Sequence, residues 1–239
     1  MTGIKSDVGI VRALNEDYAK YSENEKFKVY VVADGMGGHN AGEVASKMAA
    51  EKIINYIEDN YIDENKEEIL KKAVLYANEQ VYFFSHKEEK YTGMGTTLTA
   101  CIIADNFIQV ANVGDSSCFG ITKEKIEKLT KDHSLVQELL DLGTINEEEA
   151  ANHPQKNVIT RAIGTKDWVD VDVFNIEPGK FQALMLCSDG LSNEVSKYDI
   201  LSVINESDNF NIACEKLVDI AKSRGGRDNI TVMLFEGEV

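Results

Sequence analysis

Four runs of apolar, β-forming residues mark the strands that this sequence predicts most clearly. They cover residues 27–33, 107–113, 181–187 and 230–235. Gly, Asp or Asn stand at the ends of these runs, as is typical of strand boundaries. Shorter runs of similar composition cover residues 96–104, 117–121, 125–129 and 169–176. Several links between the runs have hairpin length, so we predict antiparallel pairing. A first short strand, followed by a polar turn, is expected within residues 7–17.

Apolar residues spaced three and four positions apart indicate helices elsewhere in the chain. Residues 41–56 carry one such stripe, which includes Ala45, Ala49 and Ile53. Residues 64–85 carry another, behind an acidic opening of the kind that favours a helix N-terminus. Further helices are predicted at residues 135–142, 197–206 and 209–223.

The helices form two blocks around runs of strands, which indicates an α+β protein rather than an alternating α/β one. Two antiparallel sheets packed face to face, with pairs of helices outside, would use every predicted apolar face. We expect a single domain over residues 1–239. Residues 143–164 form its least regular stretch, and a loop of this length is usually functional.

Composition narrows the class of protein further. The chain is 43% hydrophobic and 28% charged, with a net charge of −16. That charge argues against nucleic acid or an anionic membrane as a partner, because both attract basic surfaces. Four cysteines without C-x-x-C spacing fit small buried side chains in a reducing compartment. With no apolar signal region and no membrane-length run, we expect a cytoplasmic protein and a monomer.

An aspartate borders each of the four main apolar runs: Asp34, Asp115, Asp189 and Asp228. A single Asp at a strand end is usually explained by turn formation. Four are different, because paired strands can bring their ends to one edge, where the carboxylates would repel each other without a cation. Oxygen ligands without His or Cys favour Mg²⁺ or Mn²⁺ over zinc. The pattern therefore predicts a carboxylate-bound metal site.

Seven short motifs occur in a fixed order along nearly the whole chain. They lie at residues 7–17, 34–39, 93–97, 112–116, 130–134, 188–190 and 227–231. In sequence and order they resemble the motifs of the PP2C (PPM) family of metal-dependent serine/threonine protein phosphatases, in its bacterial form. One departure is Ser117, where the family commonly has Arg.

The resemblance implies a ligand for each ion of a Mn²⁺ or Mg²⁺ centre. Asp34 is expected to bridge two ions, one of which also binds the backbone oxygen of Gly35. Asp189 and Asp228 would complete this pair of sites. Asp115 and Asp189 would hold a third, weaker ion.

Other residues of the motifs are expected to act on the water and the phosphate. By the resemblance, Asp17 orients the attacking water, with Glu16 and Asn229 in the shell around the metal ligands. Arg12 is the candidate phosphate ligand, because a guanidinium matches two phosphate oxygens at once; a surface ion pair is its alternative role. His39 would protonate the leaving oxygen or, alternatively, serve only to build the metal loop.

The implied activity is hydrolysis of phosphoserine and phosphothreonine in proteins, opposing a membrane-anchored bacterial Ser/Thr kinase. A second interpretation is an inactive relative that binds metal or phosphopeptides in signalling. An aspartyl-phosphate phosphatase would need Asp-x-Asp-x-Thr near its first strand, and the sequence contains none. The role of residues 143–164 is expected to be that of a flap beside the active site.

Overall fold

Eleven strands and seven α-helices occur in the computed structural model, which describes residues 1–36 and 41–237. The strands are β1 (Thr2–Asp7), β2 (Asp17–Glu23), β3 (Phe27–Met36), β4 (Gly95–Thr96), β5 (Leu98–Ala104), β6 (Phe107–Val113), β7 (Ser117–Ile121), β8 (Ile126–Lys128), β9 (Asp172–Ile176), β10 (Ala183–Cys187) and β11 (Ile230–Glu236). The helices are α1 (Gly42–Asn60), α2 (Ile69–Ser85), α3 (Leu135–Asp141), α4 (Glu147–Ala151), α5 (Asp189–Ser192), α6 (Lys197–Asn205) and α7 (Phe210–Ser223). Short 3₁₀ turns cover Asp63–Asn65 and Glu89–Tyr91.

The strands form two sheets whose pairings are all antiparallel. One sheet has the order β1-β11-β10-β7-β8, and the other has β2-β3-β5-β6-β9 with β4 paired to β3. This confirms the predicted α+β sandwich of two antiparallel sheets. It also brings the two ends of the chain together, because Thr2 pairs with Phe235 and Asp7 with Ile230.

Apolar side chains fill three layers of this sandwich. The layer between the sheets includes Tyr30 and Phe235, whose rings stack with centroids 3.7 Å apart. On the outer faces, α1 and α2 cover one sheet, and α6 and α7 cover the other. Strands such as β3 and β11 are thus buried on both faces, which is why their sequences are largely apolar rather than alternating.

The start of a helix and its buried face both follow from its sequence, as α7 shows. In α7 the buried side chains Ala213, Leu217 and Ala221 recur every fourth residue and pack on β11. Asn209 caps this helix, because its side chain accepts a hydrogen bond of 3.0 Å from the Ile212 amide.

The structure differs from the predicted elements in two stretches of the chain. The expected strand within residues 7–17 is wrong: β1 ends at Asp7 and β2 begins at Asp17, with a loop between them. Residues 143–164 are also less irregular than predicted, since they contain α4. Within the described residues, no helix combines the length and the apolar composition that crossing a membrane requires.

Candidate active site

A cleft of about 240 Å³ collects most of the predicted site residues at one edge of the sandwich. It is lined by Arg12, Glu16, Asp34, Gly35, Met36, Thr97, Asp115, Asn157, Ile159, Asp189, Asp228 and Asn229. The four aspartates that border the apolar runs therefore share one cleft, although up to 194 positions separate them in the sequence. Strand pairing accounts for part of this, since β10 and β11 are paired; the packing of the two sheets then brings Asp189 and Asp228 to Asp34 and Asp115 of the other sheet.

Asp34 lies inside β3 rather than after its end. The strand continues to Met36 because Gly35 and Met36 pair with Thr96 and Gly95 of β4. The backbone of Asp34 is held by Thr97, whose amide donates to the Asp34 carbonyl at 2.8 Å. The strand that carries this carboxylate thus extends three residues beyond the predicted end at residue 33.

Asp17 stands opposite Asp34 in the β2–β3 pairing. Its side chain is buried, and Oδ2 accepts a hydrogen bond of 2.6 Å from the Ser188 hydroxyl. Oδ1 is buried without a hydrogen-bond partner among the described residues. One oxygen of Asp17 is therefore fixed, and the other is a buried oxygen that no described protein donor satisfies.

Two glycines allow the backbone to pack closely around these carboxylates. A Cβ at Gly35 would overlap the carbonyl of Gly42, and the Gly35 amide donates to the Glu16 carbonyl at 3.1 Å. Gly9 has φ of +80° and lies against the carbonyl of Asp228, so a side chain there would be both strained and blocked.

Asp115 and Asp189 follow β6 and β10, as predicted. Asp189 opens α5, and its Oδ2 accepts a hydrogen bond of 3.0 Å from the Asn193 side chain. Its Oδ1 is buried without a partner within the described part of the chain. Ser117, in the place of the family's Arg, is buried, and its hydroxyl donates to the Asp115 carbonyl at 3.4 Å.

Asp228 precedes β11 and pairs with Arg12. Nη2 of Arg12 lies 2.9 Å from Oδ2 of Asp228, and the Arg12 side chain remains 51% exposed. Mainly because of Asp228, the pKa of Arg12 is raised. Arg12 thus stands at the mouth of the cleft with donors still open to solvent.

Asn229 clamps the loop that carries Arg12. Its side-chain amide donates to the carbonyls of Val8 and Leu14 at 3.0 and 2.9 Å. Its Oδ1 accepts from the Glu16 amide at 2.8 Å. Three hydrogen bonds from one side chain therefore fix both ends of this loop beside Asp228.

Burial and mutual repulsion make the carboxyls of the site hard to ionise. Burial is the largest cause in each case: it raises the pKa of Asp17 and Asp115 to about 7 and that of Asp189 to about 6. The pKa of Asp34 is raised well above its usual value by burial and by Asp17 and Asp189. Burial also raises the pKa of Glu16. A divalent cation bound among these carboxyls would lower their pKa values again, because its charge favours the ionised form.

The donor set fits a hard cation, although the side chains are not in a closed ligand arrangement. Across residues 1–36 and 41–237, no three His, Cys, Asp or Glu side chains are placed to hold one ion among them. Arg12 and Asn193 instead occupy oxygens of Asp228 and Asp189. The oxygen-only lining and the partnerless oxygens of Asp17 and Asp189 match the ligands that Mg²⁺ and Mn²⁺ prefer.

One predicted residue lies outside the described part of the chain, and one site residue was not predicted. His39 lies outside the described residues, so its two alternative roles stay predictions. Ser188 was missed as a site residue, although it immediately precedes Asp189; its contact with Asp17 joins positions 171 apart in the chain.

Comparison with known proteins agrees with this geometry. The family model described as protein phosphatase 2C matches residues 11–230. A serine/threonine phosphatase stp of Listeria innocua is 39% identical over 236 residues, which cover 97% of this chain and 94% of that protein. The protein phosphatase PhpP of Streptococcus pneumoniae strain D39 is 39% identical over 96% of this chain and 94% of its own length.

A solved structure shows that the fold is shared as well as the sequence. The crystal structure of serine/threonine phosphatase Stp1 from Staphylococcus aureus superposes with a TM-score of 0.92 at 33% identity, covering 98% of this chain and 94% of that one. The chain belongs to the PP2C family of metal-dependent serine/threonine protein phosphatases, in its bacterial form.

Proposed function

We propose that this protein hydrolyses phosphoserine and phosphothreonine in other proteins at a centre of two Mn²⁺ or Mg²⁺ ions. The observation that carries the proposal is the convergence of Asp34, Asp115, Asp189 and Asp228 on one cleft with the Arg12 guanidinium at its mouth. The family and its named relatives support the phosphatase activity.

Five groups of the chain would hold the ions. Asp34, the Gly35 carbonyl, Asp189 and Asp228 would bind the pair, and Asp115 with Asp189 a third ion. When bound, these ions supply Lewis acidity and lower the pKa of the attacking water toward neutrality.

The remaining roles belong to protein groups. Arg12 exchanges its contact with Asp228 for two phosphate oxygens and offsets the charge of the transferring group. Asp17 offers its partnerless Oδ1 to the attacking water, while Ser188 holds Oδ2 in place. Glu16 and Asn229 fix the loop between β1 and β2. His39 is the candidate proton donor to the leaving serine or threonine oxygen.

The substrates would be phosphorylated proteins, and a bacterial Ser/Thr kinase would be the opposing enzyme. This second part follows from the resemblance to the family. A cytoplasmic monomer with no nucleic-acid or membrane partner remains our expectation from the sequence.

Phosphate release from phosphoserine and phosphothreonine peptides, with Mn²⁺ and with EDTA, tests the proposal. We expect turnover with Mn²⁺ and none with EDTA. The Mn²⁺-dependent turnover should be lost in Asp34→Ala and Asp189→Ala. Asp219→Ala removes an exposed carboxylate on α7 and is the matched control, which should keep full activity. Retained activity in Asp34→Ala would contradict the proposal. Binding of Mn²⁺ in titration calorimetry without turnover would favour the inactive binding module instead.

A further inference from the structure

A second cavity, of about 340 Å³, adjoins the active-site cleft. The two share Asp115 and Asp189 in their linings. A peptide whose phosphate lies in the first cavity would therefore have its neighbouring residues beside the second. One residue of extended chain spans roughly 3.3 Å, so a position one or two residues from the phosphorylated one would reach it.

The far wall of this second cavity is aliphatic. Val136 and Leu140 stand one turn apart on α3 and are half-buried, and Ala150 of α4 lies beside them. The near wall and the rim are polar and include Gln137, Ser192, Asn193 and Lys156. Such a lining suits an apolar side chain at the wall and a peptide backbone at the rim.

Hydrogen bonds join the α3 wall to the rest of the site. The Leu135 amide donates to the Val158 carbonyl at 2.9 Å, and the Thr160 amide donates to the His133 carbonyl at 2.8 Å. The buried His133 ring in turn accepts a hydrogen bond of 3.0 Å at Nδ1 from the amide of Gly114, next to Asp115. The wall is thus held at a fixed place relative to Asp115, so the cavity exists before a substrate arrives.

The charged groups of the cavity do not favour one sign of charge in an occupant. Asp115 and Asp189 both face this space, whereas the third carboxylate, Asp132, is paired with Lys128 at 2.7 Å to both oxygens. Asp115 and Asp189 would be held by the metal ions in the working enzyme, and the exposed Lys156 stands at the rim, so the choice of occupant depends on the aliphatic wall.

We propose that this cavity is a specificity subsite that takes an aliphatic side chain of the phosphoprotein substrate, one or two residues from the phosphorylated one. The proposal rests on the proposed phosphatase function and adds a substrate class to it. Val136 and Leu140 are its specificity-determining residues.

Synthetic phosphothreonine peptides test this subsite. In an alanine-rich peptide, a single Leu is moved through the two positions on either side of phosphothreonine, with Lys and Asp as alternatives at each position. We expect Leu at one position to raise kcat/KM about tenfold over Ala, the discrimination typical of a hydrophobic pocket. Asp or Lys at that position should give no such gain.

Leu140→Asp should abolish the preference for Leu, and Leu140→Ala should reduce it. The Leu-to-Ala ratio of kcat/KM on one preparation does not depend on how much enzyme is folded, so a destabilised variant stays informative. Glu138→Ala changes an exposed residue on the same helix and should keep the ratio of the unmodified enzyme.

The outcomes separate the two proposals. Turnover of every peptide with no position favouring Leu by more than twofold would overturn the subsite and leave the phosphatase intact. A preference for Lys or Asp would assign the cavity to another substrate class and overturn the aliphatic assignment. No turnover of any peptide, nor of p-nitrophenyl phosphate, would instead reject the phosphatase function.

Discussion

Arg12 and Asp228 form an ion pair across the mouth of the cleft, with 2.9 Å between Nη2 and Oδ2. We assign the same carboxylate to a metal ion and the same guanidinium to phosphate. Each group therefore pairs with a residue whose place its proposed ligand would take. A metal ion would take the place of Arg12 beside Asp228, and phosphate would take the place of Asp228 beside Arg12. The pair is half-exposed, so it is worth about 1 kcal/mol or less.

Replacing Arg12 by Ala should affect the two ligands in opposite directions. Mn²⁺ affinity should rise about two- to fivefold, because Asp228 loses a competing cation. KM for a phosphopeptide should rise about 10- to 100-fold, because charge-assisted hydrogen bonds to phosphate are lost. Titration calorimetry with Mn²⁺ and steady-state kinetics measure the two effects. Arg12→Lys should be intermediate in KM, and weaker Mn²⁺ binding in Arg12→Ala would contradict the competition.

Without metal, the free energy of unfolding should fall as the pH rises from about 5 to 7.5. Carboxyl groups of the unfolded chain ionise near pH 4, whereas the folded pKa values of Asp17 and Asp115 are about 7 and that of Asp189 about 6. The folded protein thus holds more protons in this range, and its stability is lost as they dissociate. The lowered pKa of Asp7 has the opposite effect only below about pH 4.

Thermal melts in EDTA at pH 5.5 and 7.5 measure this dependence. We expect a higher Tm at pH 5.5, a smaller difference in Asp115→Asn, and little difference with saturating Mn²⁺. A Tm in EDTA that increases toward pH 7.5 would show that these carboxyls do not control stability.

Asp34→Asn should stabilise the metal-free protein while abolishing its activity. The substitution keeps the shape of a buried side chain and removes a carboxyl whose ionisation is opposed by burial and by Asp17 and Asp189. We expect Tm in EDTA to rise by a few degrees, since 1 kcal/mol corresponds to about 2–4 °C in a domain of this size. Mn²⁺ should raise the Tm of the variant less than that of the unmodified protein. A lower Tm in EDTA would mean that the carboxylate is well compensated by its surroundings.

Asn229→Ala should loosen the loop that carries Arg12. Three part-buried hydrogen bonds are lost, each worth about 1 kcal/mol, so the free energy of unfolding should fall by roughly 3 kcal/mol. Urea denaturation measures this loss, and KM for phosphopeptide should rise with it. Asn193→Ala removes one exposed hydrogen bond to Asp189 and should cost less than about 1 kcal/mol. Equal losses in the two variants would argue against the clamp.

The strands that the sequence predicts well are those buried by helices on one side and by a sheet on the other. Residues 107–113 and 117–121 form β6 and β7 with the predicted bounds, because burial along the strand leaves a mostly apolar sequence. β2 gave no such signal, since Lys20, Ser22 and other polar side chains alternate along a strand that is only partly covered.

The candidate site residues also fall into those that the local sequence predicts and those that it does not. Local sequence alone predicts Asp115, Asp189 and Asp228 as candidate metal ligands, because each borders an apolar run. Asp17 was identified only through the family resemblance, because it begins a strand that the pattern did not show. The hydrogen bond from Ser188 to Asp17 could not be predicted, since it depends on how two distant strands pack.

The pairing of β1 with β11 has a consequence for biosynthesis. Asp228 and Asn229 are translated more than 210 residues after Arg12 and Glu16, yet they hold the Arg12 loop through hydrogen bonds. A nascent chain still lacking β11 therefore lacks part of the site, so competence for turnover requires that β11 be synthesised and paired with β1.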